Sequence, residues 1–208
     1  MDRCRDLARR LVAEGHAYED EGAIRFRMPD AGVTAWDDAV KGRVEVPNEQ
    51  LEDVVIVRSD GRATYNFASP VEDMDDAITH VIRAEEHLAN TPRQLMLYDA
   101  LGAAPPAFAH VALILNRDRS KMSKREGEAA VAVGDWRRAG FVPEALLGYL
   151  ALLGFHPGDD REVLTRAELI EAFALERVGR SGSVFDEGKL RWMNAHWLHH
   201  ASGEQIAA

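Results

Sequence analysis

Apolar residues recur along this chain in two rhythms, and the rhythm changes between its first third and its middle. Residues 2–14 place Leu7, Leu11 and Val12 on one helical face, with Gly15 positioned to stop the helix. Residues 23–28 (AIRFRM) alternate as a strand that Pro29-Asp30 ends. Residues 53–58 (DVVIVR) and 62–67 (RATYNF) read as two strands joined by Ser59-Asp60-Gly61, because glycine after aspartate accepts the positive φ of a tight hairpin. The first part of the chain is therefore expected to be a small unit of one helix and antiparallel strands.

The rhythm then shifts to strand–helix–strand. Thr79-His80-Val81-Ile82 is a short strand running into charged residues. Thr91 is placed to cap a helix that opens on Pro92, shows Leu95 and Tyr98 on its apolar face, and ends at Gly102. Residues 111–115 form the next apolar strand. Two strands joined in this way are expected to be parallel. In such sheets ligands sit beyond the strand C-terminal ends. Those ends lead into Arg83-Ala84-Glu85-Glu86 and into the loop from Asn116 to Gly127, which are expected to meet. From Phe141 the pattern is helical. Residues 143–153 form an apolar helix stopped by Gly154, Thr165-Arg166-Ala167-Glu168 is a capping box, and Asp186 caps a helix through Leu190 and Met193. Boundaries are expected near residues 63 and 118.

Composition narrows the class without choosing a function. Of 208 residues 46% are hydrophobic and 29% charged, an ordinary globular balance able to bury a core. The net charge of -10 argues against holding nucleic acid by bulk positive charge, while leaving room for a local basic patch. The single cysteine, Cys4, excludes an internal disulfide framework and a paired-cysteine zinc motif, and suits a reducing cytoplasm. No stretch approaches the ~18 apolar residues of a membrane span.

The sharpest candidate chemistry is Lys121-Met122-Ser123-Lys124-Arg125. Three cations in five residues suit a polyphosphate, whose charge they neutralise as a phosphoryl bond breaks. A solvated basic loop is the plainer alternative. Arg83 is open to two readings, a strand-end ion pair with Glu85 or a carboxylate fork, and Tyr65 is half-buried filling or a ligand contact. His196, His199 and His200 suggest metal binding only by composition, with Glu204 the one nearby acid, so a solvated helix end is expected. Glu72, Asp73, Asp75 and Asp76 are read as a polar surface loop, and Trp192, Met193 and Trp197 as helical core.

The basic pentapeptide resembles the KMSKS loop of class I aminoacyl-tRNA synthetases. Thr64-Tyr65-Asn66-Phe67-Ala68, Ile78 to Arg83, His87, Asn90 to Gln94 and Phe108-Ala109-His110-Val111 are similar to the glutamyl-tRNA synthetase family. So are Pro143 to Leu146, Leu152-Leu153-Gly154, Val184-Phe185-Asp186 and Lys189 to Asn194. These blocks are collinear over residues 3–197.

The resemblance implies an α/β plus α fold: the second half of a Rossmann-type class I synthetase catalytic domain, with a small α+β insertion and a C-terminal helical domain. It implies residues 1–63 as a shortened acceptor-stem-binding insertion, 64–118 as the second half of the nucleotide fold, and 119–208 as the KMSKR loop with a helical stem-contact domain. It assigns Tyr65 and Arg83 to glutamate. Ala84, Glu86, His87, Leu113 and Ile114 are assigned to ATP, and Lys121, Lys124 and Arg125 to catalysis on ATP. Many members carry Gly at the position of Ala84 and Asp at that of Glu86; Ala-Glu-Glu is a variant also associated with the family. The implied substrates are glutamate, ATP with Mg2+, and the acceptor stem of tRNA, with no bound zinc, no membrane and a cytoplasmic location. The family's HIGH-motif half and anticodon-binding domain have no counterpart in these residues. A separate N-terminal half is thus an expected partner, and the chain alone is expected to activate glutamate poorly. Glutaminyl-tRNA synthetase and a non-catalytic tRNA-binding paralogue or gene fragment are the alternatives.

Overall fold

In the computed structural model, which describes residues 2–122 and 132–200, the chain divides into two compact units, Met1–His110 and Val111–Ala208. The expected first helix forms as α1 (Asp2–Ala13). Its buried stripe is Cys4, Leu7, Ala8 and Leu11, spaced three and four apart as a helix face requires. Gly15 follows at φ 83°, a left-handed conformation that leaves the helix without steric cost.

Against this helix lies an antiparallel sheet of β1 (Ala17–Asp20), β2 (Ala23–Phe26) and β5 (Val54–Val57), in the order β1-β2-β5. A register shift between Ile24 and Arg25 bends β2 where it meets β5. Between β2 and β5 in sequence stands a second hairpin, β3 (Val33–Asp38) with β4 (Gly42–Pro47), registered Trp36 against Val44 and Asp38 against Gly42.

The turn at Ser59-Asp60-Gly61 is present, with the Arg58 amide donating to the Arg62 carbonyl at 2.9 Å. The second strand expected over 62–67 is not: pairing shrinks to one bridge, Val57 to Ala63, and the chain turns into α2 (Tyr65–Asp75). The core decides this. In a helix Phe67 and Val71 fall on one face and both are buried at 1% exposure or less, whereas a strand would place Tyr65 on the same face as Phe67. The acidic run accordingly lies in the last turns and C-cap of α2 rather than in a loop. There Asp73 accepts from the Tyr98 hydroxyl at 3.3 Å and Asp75 pairs with Arg3 at 3.2 Å.

The strand–helix–strand unit is β6 (His80–Ala84), α3 (Thr91–Ala100) and β7 (Ala107–Val111), with β6 and β7 paired. The last strand lies earlier than expected, and its apolar continuation forms a separate short strand, β8 (Ile114–Leu115). One core joins α1, β2, β5, α2 and α3 through Leu11, Phe26, Ile56, Phe67 and Leu97. It runs without interruption across residue 63.

In the second unit β8 pairs in parallel with β9 (Ser183–Val184). The helices are α4 (Val133–Arg138), α5 (Pro143–Gly154), α6 (Arg166–Ala172) and α7 (Glu187–His200). The core packs α5 on α7 through Ala145, Leu146, Tyr149, Leu190 and Met193. Gly148 lies at this crossing, where a Cβ would stand 3.3 Å from the Met193 methyl carbon, a tight contact with a flexible side-chain end. Met193 is fully buried, Trp197 packs against the cluster, and Trp192 is 49% exposed, so Trp192 is not core as its sequence neighbours suggested. Asp186 caps α7 as expected, accepting from the amides of Gly188 and Lys189.

The capping box is complete: Thr165 Oγ1 accepts from the Glu168 amide and Glu168 Oε2 accepts from the Thr165 amide. Replacing Thr165 with alanine removes the first of these bonds. It is expected to cost about 1 kcal/mol, read as a lower urea midpoint for the second unit.

Candidate active site

Tyr65 opens α2, and Arg83 stands one residue before the end of β6. The side chains of these two residues meet in the first unit. Arg83 Nη1 donates to the Tyr65 hydroxyl at 3.4 Å, while the Tyr65 residue remains 53% exposed. Arg83 Nη2 donates to Thr91 Oγ1 at 2.8 Å, and Nε donates to His110 Nε2 at 3.1 Å. The guanidinium carbon also lies 5.4 Å from the Phe108 ring centre, within cation–π range. A guanidinium has five N–H donors. Three are engaged here by described residues. Glu85 pairs with Lys41 at 2.5 Å. Tyr65 is not filling.

Arg83 is held from behind by groups the sequence reading gave no role. His110 and Asp38 are buried, and both of their side chains are fully out of contact with solvent. His110 Nδ1 and Asp38 Oδ2 lie 2.5 Å apart. Burial pushes the Asp38 carboxyl up. The hydrogen bond from His110 and those from the backbone amides of Lys41, His110 and Val40 outweigh that effect and hold it below the ordinary carboxylate range. Burial drives His110 down, and the Arg83 charge adds to that, against the opposing pull of Asp38. The pair is therefore an ionised carboxylate and a neutral imidazole. Thr91 belongs to this cluster and not to a helix cap; the N-cap of α3 is Asn90.

Both shifts have the same consequence for stability. An unfolded His110 takes up a proton near its ordinary value of 6.5 while the folded ring resists it, so stability drops as pH falls below that point. Asp38 stabilises the fold above its ordinary 3.8, and that contribution is lost as pH falls through its lower folded value. The urea midpoint is expected to decline between about pH 7 and about pH 5, with a shallower decline in a His110→Asn variant.

The residues assigned to nucleotide fall into separate groups. Ala84 precedes a short 3-10 turn over Glu85–Asn90, whose backbone carries Glu86 and His87. The His87 ring lies 5.7 Å from that of Tyr65, and its Nε2 is 3.9 Å from Glu86. These residues share the Arg83 neighbourhood. In the second unit Leu113 precedes β8, Ile114 pairs with Ser183, and exposed Lys121 bridges to Leu115. The Met122 amide donates to the Ile114 carbonyl at 3.0 Å, so the start of the basic loop is tied to β8. Lys124 and Arg125 lie outside the described residues.

Among the described residues no group of three or more His, Cys, Asp or Glu side chains is placed to hold a metal ion. His196 and His200 stack at 4.5 Å on the exposed end of α7. Among the same residues no helix is long and apolar enough to cross a membrane.

The family described as tRNA synthetases class I (E and Q), catalytic domain, matches residues 1–192, and the chain belongs to it. It is similar to the glutamate–tRNA ligase of Heliobacterium modesticaldum, with 50% identity over 99% of this chain and 41% of that protein. It is also similar to the glutamate–tRNA ligase of Paraburkholderia phymatum, with 51% identity over 88% of this chain and 39% of that protein. The fold is similar to part of a glutamate tRNA ligase from Elizabethkingia meningosepticum, crystallised in complex with its amino acid. That match has a TM-score of 0.80 and 34% identity, and covers 96% of this chain and 42% of that one. The chain thus spans about two fifths of the length of the relatives it matches.

Proposed function

We propose that this chain supplies part of the catalytic machinery of a glutamate–tRNA ligase. The observation that carries the proposal is Arg83: its guanidinium is fixed on three sides, and its planar fork suits the two oxygens of a carboxylate. In the reaction a glutamate carboxylate oxygen attacks the α-phosphorus of ATP. The bond to the bridging oxygen breaks, giving glutamyl-adenylate and pyrophosphate. A ribose hydroxyl at the 3′ end of tRNA then takes the glutamyl group, releasing AMP. Arg83 and Tyr65 orient glutamate, since positioning and charge stabilisation supply most of the rate in such a transfer. Ala84, Glu86 and His87 in the first unit, and Leu113 and Ile114 in the second, are each assigned to the nucleotide. Lys121, Lys124 and Arg125 neutralise charge on the departing pyrophosphate, and magnesium enters as part of the ATP substrate.

On the same reading residues 1–63 form the acceptor-stem insertion, 64–118 the second half of the nucleotide fold and 119–208 the loop and helical stem-contact domain. The HIGH-motif region of the family completes the site, and the setting is the cytoplasm, where tRNA is charged. The glutaminyl alternative is less favoured, because the similar proteins named above are glutamate ligases.

The test is calorimetric titration of the chain with non-hydrolysable analogues of glutamyl- and glutaminyl-adenylate. Preferential binding of the glutamyl analogue is expected. Equal or reversed preference would contradict the assignment, and binding of tRNA with neither analogue bound would favour the non-catalytic reading.

A further inference from the structure

Behind Arg83 the hydrogen-bond directions are fixed in a way that assigns a role to two buried residues. We propose that Asp38 and His110 are positioning residues, which hold Arg83 in its ligand-facing orientation by locking His110 in the tautomer that carries its proton on Nδ1. This rests on Arg83 being the glutamate contact of the proposed function.

Asp38 is the last residue of β3, paired with Gly42 at the head of the β3–β4 hairpin. Its Oδ1 accepts from three backbone amides, those of Val40 at 3.1 Å, Lys41 at 2.9 Å and His110 at 3.1 Å. That oxygen is therefore committed, and Oδ2 alone faces the ring, 2.5 Å from Nδ1. An ionised carboxylate only accepts, so Nδ1 must donate. A neutral imidazole has one N–H, so Nε2 is left with a lone pair. That lone pair faces the Arg83 Nε–H at 3.1 Å, and Thr91 Oγ1 sits beside both, 3.1 Å from Nε2 and 2.8 Å from Arg83 Nη2. Phe108 stacks against His110 with planes 14° apart and closes the side of the ring. Every direction in the chain Asp38–His110–Arg83 follows from the first. The end of β3, 45 residues before Arg83 in sequence, thus sets the aim of the arginine.

An isosteric change tests this. In Asp38→Asn the three backbone amides still require an oxygen at the Oδ1 position, so the new NH2 must face His110 Nδ1. The ring proton then moves to Nε2 and points at the Arg83 Nε–H, donor against donor. The arginine is expected to turn away although no volume has changed.

The measurement is 15N NMR of the His110 ring and the Arg83 Nε–H in the 208-residue chain, with glutamate titrated in. In the unsubstituted chain Nδ1 is expected to be protonated and the Arg83 Nε–H protected from exchange. In Asp38→Asn the proton is expected on Nε2, with the Arg83 protection lost and glutamate weakened about tenfold or more. An unchanged tautomer with Arg83 still protected in the variant would overturn the proposal. If the variant does not fold, the unsubstituted chain decides alone, because a proton on its Nε2 is incompatible with the proposal. Nδ1 protonation with no response of Arg83 to glutamate would support the positioning while counting against glutamate as the ligand.

Discussion

Replacing Arg83 with lysine is expected to weaken glutamate recognition by about a hundredfold or more, although the charge is kept. Lysine is a point charge and cannot offer a carboxylate the paired donors of a guanidinium. The substitution also breaks the site from behind. His110 Nε2 loses the donor now 3.1 Å away, and Thr91 Oγ1 loses one at 2.8 Å, so two buried groups are left with each other alone. The effect should appear as a raised KM for glutamate, with KM for ATP little changed, in an assay that supplies the complementary half of the enzyme. A lysine variant with near-normal glutamate KM would remove Arg83 from the glutamate site. Tyr65→Phe gives the scale for comparison. Its hydroxyl is a 3.4 Å partner on an exposed residue, and its loss is expected to cost only a few-fold.

Phe67→Ala is expected to have the largest effect on stability. The side chain is fully buried where α2 meets α1, β5 and α3, in one core with Leu11, Ile56, Val71 and Leu97. Truncation loses the transfer free energy of the ring and leaves a cavity that a close-packed core fills only in part. A loss of about 3–5 kcal/mol is expected, against a total stability of about 5–15 kcal/mol for a domain. The first unit would then stand close to unfolding at room temperature. Urea denaturation followed by fluorescence is the measurement, since Trp36 is buried in that unit. A shift of less than about 1 kcal/mol would mean that the core relaxes around the gap.

The parts of the fold legible in the sequence were those with local causes. The apolar spacing of α1, the stop at Gly15, the Thr165–Glu168 box and the Asp186 cap each depend on residues within a few positions of one another. The segment after Ala63 misled because Tyr65 and Phe67 alternate with Asn66 and Ala68, which satisfies a strand period. The buried pair Phe67 and Val71 satisfies a helix period, and the core behind α2 selects the helix. Strands β3 and β4 were not read at all. Their turn has no Asn-Gly or Asp-Gly signature, and Gly42 supplies its positive φ only at the end.

The site divides in the same way. Tyr65, Arg83, Ala84, Glu86 and His87 were assigned by resemblance, and they lie in one unit. Asp38 and His110 were not assigned a role, because their contact spans 72 residues and no spacing rule joins an aspartate at the end of one strand to a histidine on another. A signal was available only in kind: a histidine and an aspartate within apolar strands must each find a partner when buried.

The proposal is that this chain contributes glutamate-contacting and pyrophosphate-neutralising residues to a glutamate–tRNA ligase. Its most direct test is glutamate-dependent exchange of pyrophosphate into ATP, measured on the 208-residue chain alone and again with the HIGH-motif half of a related glutamate–tRNA ligase added in trans. The expected result is background exchange alone and glutamate-dependent exchange in the mixture, lost when Arg83 is changed to alanine. Silence in the mixture, with the chain shown to be folded, or exchange that the Arg83→Ala variant retains, would contradict the account.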